Sequence, residues 1–368
     1  MSFAILGMGT AVPPTTFDQA EGLRVAKSLC APTDEQVTWL PTMYEGTGID
    51  KRHVALPRAV VDDMLRGTRH SGHVFLRSAD PDDRGPTTAQ RVRIYREEAA
   101  QLAQRATAVA LRAAGLKREL VTHLVTVSCT GFHAPGFDQE LIHGQALPLD
   151  IQRTHVGFMG CHGALNGLRV ASAFAEANPA ARVLVCATEL CSLHYHFGWD
   201  PGKAVANAIF ADGAATVVGC GDAAAPKSAW RLVASGSRIF PGTTDAMSWT
   251  IGDHGFEMTL SKKVPGLIQT HLCPWITDWL DRRDLKLADV RSWAIHPGGP
   301  RILGAVEQAL ALRPDDTAAA RAVFAEYGNM SSPTTLFILD RMRKEDAPRP
   351  CLALGFGPGL AVEAALFE

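Results

Sequence analysis

The chain reads as an α/β protein of layered sheets and helices. Three observations predict this class. Short runs rich in β-branched residues recur along all 368 residues, and helix-compatible, alanine-rich segments lie between them. The runs are apolar without alternation, as in strands buried on both faces. The length holds either two ordinary domains or one large unit built from two halves.

The opening Met1-Ser-Phe-Ala-Ile-Leu-Gly7 is apolar at once and has no basic leader, and Pro13 and Pro14 soon interrupt it. It therefore reads as a first strand, not a signal peptide. Residues 57–96 mix Pro, Gly, His, Arg and Asp. Lys51 to Arg96 holds ten Lys/Arg against five Asp/Glu. That stretch reads as a solvated surface excursion, with a basic rim for phosphates as the functional alternative. From Tyr95 to Ala114 the pattern is helical, and Gly115 supplies a stop. Strand runs follow at Thr122–Ser128, Arg182–Cys186 and Ala215–Val218, then at Arg231–Ala234, Ser292–Ile295 and Cys351–Leu354. The best linker lies between, in Asp222-Ala-Ala-Ala-Pro-Lys227, so the halves are expected to be 1–225 and 226–368.

A net charge of −2 gives no argument for nucleic acid or an anionic membrane surface. No run of 18 apolar residues predicts a transmembrane helix. The eight cysteines are scattered and form no Cys-x-x-Cys pair, which fits buried thiols in a reducing cytoplasm. No cluster has the spacing of metal ligands.

Three residues invite chemistry. Cys161 sits in Gly157-Phe-Met-Gly-Cys-His-Gly-Ala-Leu-Asn-Gly167, ahead of a small-residue helical pattern. A thiol at a helix N-terminus is stabilised as the thiolate that acyl transfer needs. His296 ends a strand and is followed by Pro297, Gly298 and Gly299, where backbone can approach a ligand closely. Asn329 lies in Tyr327-Gly-Asn-Met-Ser-Ser-Pro333, with Ser332 as an expected N-cap and Pro333 as first helical residue. Taken singly, each has a plainer reading: an inert core thiol, a hydrogen-bonded structural histidine, a turn-forming asparagine.

Together they stand in glycine-flanked boundaries, 135 and then 33 residues apart (296 − 161 and 329 − 296). At this point the chain resembles the type III polyketide synthases, the chalcone and stilbene synthase family. Six segments in order carry the resemblance: Gly9-Thr-Ala-Val-Pro13, the Cys161 segment, Phe210-Ala-Asp-Gly-Ala-Ala215, His296-Pro-Gly-Gly-Pro300, Gly328-Asn-Met-Ser-Ser332 and Gly355-Phe-Gly-Pro-Gly-Leu360. The resemblance implies a thiolase-like fold of two related halves in five layers, α-β-α-β-α, as a homodimer. The first half would carry the nucleophilic Cys161, the second His296 and Asn329. Cys161, paired as a thiolate with protonated His296, would take an acyl group from a starter CoA thioester. His296 and Asn329 would then hold the enolate oxygen formed as malonyl-CoA loses CO₂. No metal or redox cofactor is implied, the CoA thioesters being substrates.

The resemblance also implies the cavity. Phe210 would guard its mouth, and Met258 takes the place of a second guarding Phe of plant members. His194 replaces a small Thr, where it can steer cyclisation by proton transfer or simply fill space. Trp249 replaces a Gly and would shrink the pocket. Cys129 and Thr130 lie on a lining loop, and Gly298, Gly299 and Ser331 belong to the active-site motifs. Ala134 replaces a Met that reaches the partner subunit's cavity in plant members. The basic residues that hold CoA phosphates do not align, leaving Lys51, Arg52 or Arg301 as substitutes. Rival readings are a β-ketoacyl-carrier-protein synthase III, whose His motif runs His-Gln-Ala-Asn, a non-catalytic acyl- or polyketide-binding homologue, and a Cys–His–Asn hydrolase. Starter, number of extensions and ring closure stay open. The expected product is a pyrone or resorcinol/phloroglucinol type from a bacterial, acyl-primed enzyme.

Overall fold

A computed structural model of the chain describes residues 2–30, 33–80, 82–221 and 224–368. Asp222 and Ala223 of the expected linker lie outside the described residues. The strands up to residue 221 are β1 (Phe3–Ala11), β2 (Thr15–Asp18), β3 (Lys51–Val54), β4 (His123–Ser128), β5 (Gln152–Gly157), β6 (Arg182–Leu190) and β7 (Asp212–Gly221). The helices among them are α1 (Gln19–Cys30), α2 (Asp34–Glu45), α3 (Arg58–Arg66), α4 (Thr88–Ala114), α5 (Phe137–Gln145), α6 (Gly163–Ala177) and α7 (Pro201–Ile209). Beyond residue 230 come β8 (Arg231–Ile239), β9 (Met247–Gly252), β10 (Gly255–Leu260), β11 (Ser292–Ile295), β12 (Cys351–Gly357) and β13 (Ala361–Phe367). Their helices are α8 (Val264–Asp281), α9 (Pro300–Leu310), α10 (Ala318–Tyr327) and α11 (Pro333–Lys344).

Nine strands run in the order β11-β12-β13-β8-β1-β7-β6-β4-β5. Two lobes meet where β1 touches β8 through only Phe3↔Leu232 and Ala4↔Arg231. Strands β4, β6, β7 and β12 are buried along almost their whole length, because helices cover both faces. Helix α4 packs on β1, β7 and β6 from outside. Helices α6 and α11 lie between the lobes, α6 reaching β4, β6 and β13, α11 reaching β7, β11 and β12. On the far side Trp279 of α8 lies over Gly236 of β8. The result is the expected α-β-α-β-α succession of a thiolase-like fold.

Two expectations change. The helix read from Tyr95 begins at Thr88, because Thr87 and Gln90 form a capping box. The stretch 57–96 is not merely a solvated excursion: it contains α3, and Phe75, Leu76 and Arg91 are buried. Among the described residues no helix is long and apolar enough to cross a membrane.

Candidate active site

After β5 the chain turns sharply at Phe158 (φ 61°) and Gly160 (φ 74°) into a helical turn, Gly160–His162, which feeds α6. A Cβ on Gly160 would lie 2.5 Å from Pro358 Cδ, so only glycine lets the loop after β12 close over Cys161. Burial pushes the Cys161 thiol up to about 11, while hydrogen bonds from Ser331 and Asn329 pull the other way.

His296 follows β11 and is fully buried. Its amide donates to the Leu354 carbonyl at 2.8 Å, tying it to the neighbouring strand β12. Neither ring nitrogen has a hydrogen-bond partner among the described residues. Burial, and secondarily His162, lowers its imidazole to about 3. Enclosure thus pushes both groups toward their neutral forms, against the thiolate–imidazolium pair that the resemblance implies.

Asn329 is stitched by its backbone to the segment of Phe210. Its N–H donates to Ile209 O at 2.8 Å, and its carbonyl accepts Ala211 N–H at 2.9 Å. Its Oδ1 accepts the Ser331 amide at 2.8 Å, which leaves the NH₂ to serve the thiol. The Ser331 hydroxyl also lies 3.3 Å from Cys129 Sγ. Ser332 does precede α11 as expected, yet its hydroxyl does not cap the helix. It donates instead to Glu189 at 2.6 Å. Glu189, wholly buried at the end of β6, also accepts from Thr130 Oγ1 at 2.7 Å and Cys129 N–H at 2.9 Å. That carboxylate thereby fixes the loop after β4 against the start of α11.

Cys161 opens on a narrow cleft with about 40 Å³ for the centres of water-sized molecules. Cys129, Thr130, Phe210, Trp249, Met258 and Ser331 line it, as anticipated, with Gly160, Cys191, Met247, Ser248 and Pro358. Trp249 and Met258 are direct cross-strand partners in the β9–β10 hairpin. Trp249 Nε1 donates to Cys129 O at 2.7 Å, pinning the indole across the cleft. Behind it lies a second, smaller space of about 20 Å³, which shares Cys191, Phe210, Trp249 and Met258 and is bordered by His194.

His194 has no free nitrogen for proton transfer. Nε2 meets Thr130 O at 2.6 Å, and Nδ1 accepts the Phe256 amide at 3.0 Å. The ring stacks on Phe256 at 4.2 Å, and burial lowers it to about 3, so it is a neutral wall. Gly298, Gly299 and Arg301 do not line either cleft, and Arg301 is exposed on α9. Arg52 is withdrawn as a phosphate ligand: it is buried and donates to Asn207 O at 2.6 Å and Phe210 O at 3.0 Å. Lys51 is exposed. A broad concavity of about 980 Å³ beside Trp230 and Arg343 contains none of these residues. Among the described residues no cluster of His, Cys, Asp or Glu is placed to hold a metal ion.

Sequence reasoning missed Cys191, Met247, Ser248 and Pro358. Pro358 lies in the glycine loop already singled out, and Cys191 stands two residues after Glu189.

Family models describing the N-terminal and C-terminal domains of chalcone and stilbene synthases match residues 2–223 and 231–368. Polyketide synthase 37 of Dictyostelium discoideum is 33% identical over 290 residues, and the match covers 76% of this chain. The chain spans only about a tenth of that relative's length. The alpha-pyrone synthesis polyketide synthase-like Pks18 of Mycobacterium tuberculosis is 30% identical over 374 residues, covering 99% of this chain and 90% of that protein. Among solved structures, PKS-I from the brown alga Ectocarpus siliculosus superposes with a TM-score of 0.92 at 32% identity, covering 100% of this chain and 98% of that one.

Proposed function

The chain belongs to the chalcone and stilbene synthase family, the type III polyketide synthases, and from that premise we propose that it condenses CoA thioesters on Cys161. The observation that carries this reading is the convergence of Asn329 and Ser331 on the Cys161 thiol at the head of an apolar cleft.

Burial holds the resting Cys161 thiol largely protonated, so its attack needs a base. His296, with no other partner for its nitrogens, takes the proton as Cys161 attacks the starter thioester. CoA leaves as its thiol. Malonyl-CoA then loses CO₂, and its enolate oxygen is held by His296 and the Asn329 NH₂, donors worth about 3–4 kcal/mol each. The enolate carbon attacks the acyl thioester, Cys161 departs, and the chain gains two carbons. The reaction needs no metal or redox group. Family members work as dimers on CoA thioesters, and we extend that assembly and a cytoplasmic setting to this chain.

The narrow cleft that Trp249 walls favours few extensions of an acyl starter, closed to a pyrone or a small resorcinol/phloroglucinol-type ring. CO₂ release from malonyl-CoA tests the assignment. His296→Ala and Asn329→Ala should each lower it on the order of 100-fold or more. At pH 7.5 His296→Ala should also slow iodoacetamide alkylation of Cys161 about tenfold or more. Equal CO₂ release by wild type and both variants removes the catalytic roles.

A further inference from the structure

The polar stretch that the catalytic reading leaves unused ends beneath the cavity. Arg91, in the first turn of α4, is fully buried, and no carboxylate pairs with it among the described residues. Nε donates to Pro86 O at 2.8 Å, and Nη1 to Leu193 O at 2.5 Å and Tyr195 O at 3.0 Å. Its guanidinium lies 5.1 Å from the Phe75 ring centre and 5.8 Å from that of Phe197. Carbonyl dipoles and aromatic faces thus replace water around a buried cation. The two carbonyls held by Nη1 flank His194.

One turn earlier, Thr88 grips the other wall. Its amide donates to Asp253 O at 2.8 Å. Its hydroxyl accepts Gly255 N–H at 2.9 Å and donates to Gly252 O. These are the turn residues of the hairpin that carries Trp249 and Met258. Gly255, at φ 113°, lies against the arginine: a Cβ there would be 3.1 Å from Arg91 Nε. The hairpin is a separate two-stranded sheet outside the nine-stranded one, so no ladder of the main sheet sets its distance from the opposite wall. Its turn is held by α4. His254 Nδ1 at 2.8 Å from Gly85 O and the His194–Phe256 bond complete the brace.

We propose that Thr88 and Arg91 are positioning residues that set the separation of the His194 turn from the Trp249–Met258 hairpin, and so the number of two-carbon units added before release. The inference rests on the condensing activity proposed above. Neither residue lines the cleft, so their effect reaches the product through the walls they hold.

The test uses the full chain with malonyl-CoA and a medium-chain acyl-CoA, reading CO₂ release and product masses together. Thr88→Val and Arg91→Met should keep CO₂ release within about threefold of wild type while shifting the ratio of longest product to triketide by about fivefold or more. Arg91→Lys should return part of the way, since an ammonium can still reach two carbonyls. Arg91→Met can fail to fold, and Thr88→Val, on the first turn of a helix, then decides. Wild-type product ratios in folded Thr88→Val and in a folded Arg91 variant overturn the proposal. Absence of CO₂ release by the wild type overturns the reading of the reaction instead.

Discussion

Truncating Trp249 to alanine tests whether the indole limits product length. The side chain donates to Cys129 O at 2.7 Å and packs edge-on to His194 and Phe256, with ring centres 5.6 and 5.8 Å away. Removing it frees roughly 140 Å³ and merges the two small clefts that share it as a wall. At interior packing density a two-carbon unit fills roughly 45 Å³, so there is room for about three more. The half-buried position and the lost bond together cost about 2–4 kcal/mol of stability, less if water replaces the donor to the Cys129 carbonyl. Product masses from a fixed acyl-CoA starter should rise by at least about one two-carbon unit, while decarboxylation persists because His296 and Asn329, the donors proposed above, are untouched. Urea unfolding measures the stability loss. A folded, decarboxylating Trp249→Ala variant with the wild-type product distribution would refute the argument that the indole is the stop.

The remaining predictions concern stability. His194 is held neutral at about 3, below its ordinary value, so the stability it contributes is present above pH 6.5 and is lost as pH falls toward 3. From pH 7 to 5 the loss is about 2 kcal/mol, which urea midpoints should show in wild type and show reduced by that amount in His194→Gln. Gly328 holds φ 73° and ψ −165°, and a Cβ there would sit 2.9 Å from Arg52 Cγ and 3.0 Å from Ile209 O. Gly328→Ala should cost about 2–4 kcal/mol in urea unfolding and, by displacing Asn329, cut CO₂ release from malonyl-CoA.

What was legible in the chain divides along physical lines. Ser292–Ile295 is legible in the chain because Trp293, Ala294 and Ile295 make the apolar run of a strand buried on both faces. The apolar stripe becomes visible only from Tyr95, because Arg91, Arg93 and Arg96 interrupt it, although the Thr87–Gln90 box marks the true helix start. Arg91 behaves as a core residue because two of its three carbonyl partners lie about 100 positions away, which no local pattern displays. Cys161, His296 and Asn329 stand out in the chain because their glycine-flanked segments lie among six ordered motifs that resemble one family. Ser332 was placed correctly and assigned the wrong partner, since Glu189 competes with the helix for its hydroxyl. Cavity neighbours such as Met247 and Ser248 escaped notice because lining depends on how a hairpin lies over a site, not on residue type.

The backbone stitch between Ile209–Ala211 and Asn329 has a consequence for the order in which the molecule is made. Cys161 leaves the ribosome 168 residues before Asn329 (329 − 161). Until Asn329 arrives, Ala211 N–H lacks the carbonyl that it meets in the finished protein, and Phe210 lacks its bridge partner. The Phe210 segment and the side chains that meet the Cys161 thiol are therefore brought together only once Asn329 has been made. A half-made chain, without His296 and Asn329, lacks two of the three residues on which the proposed condensation depends.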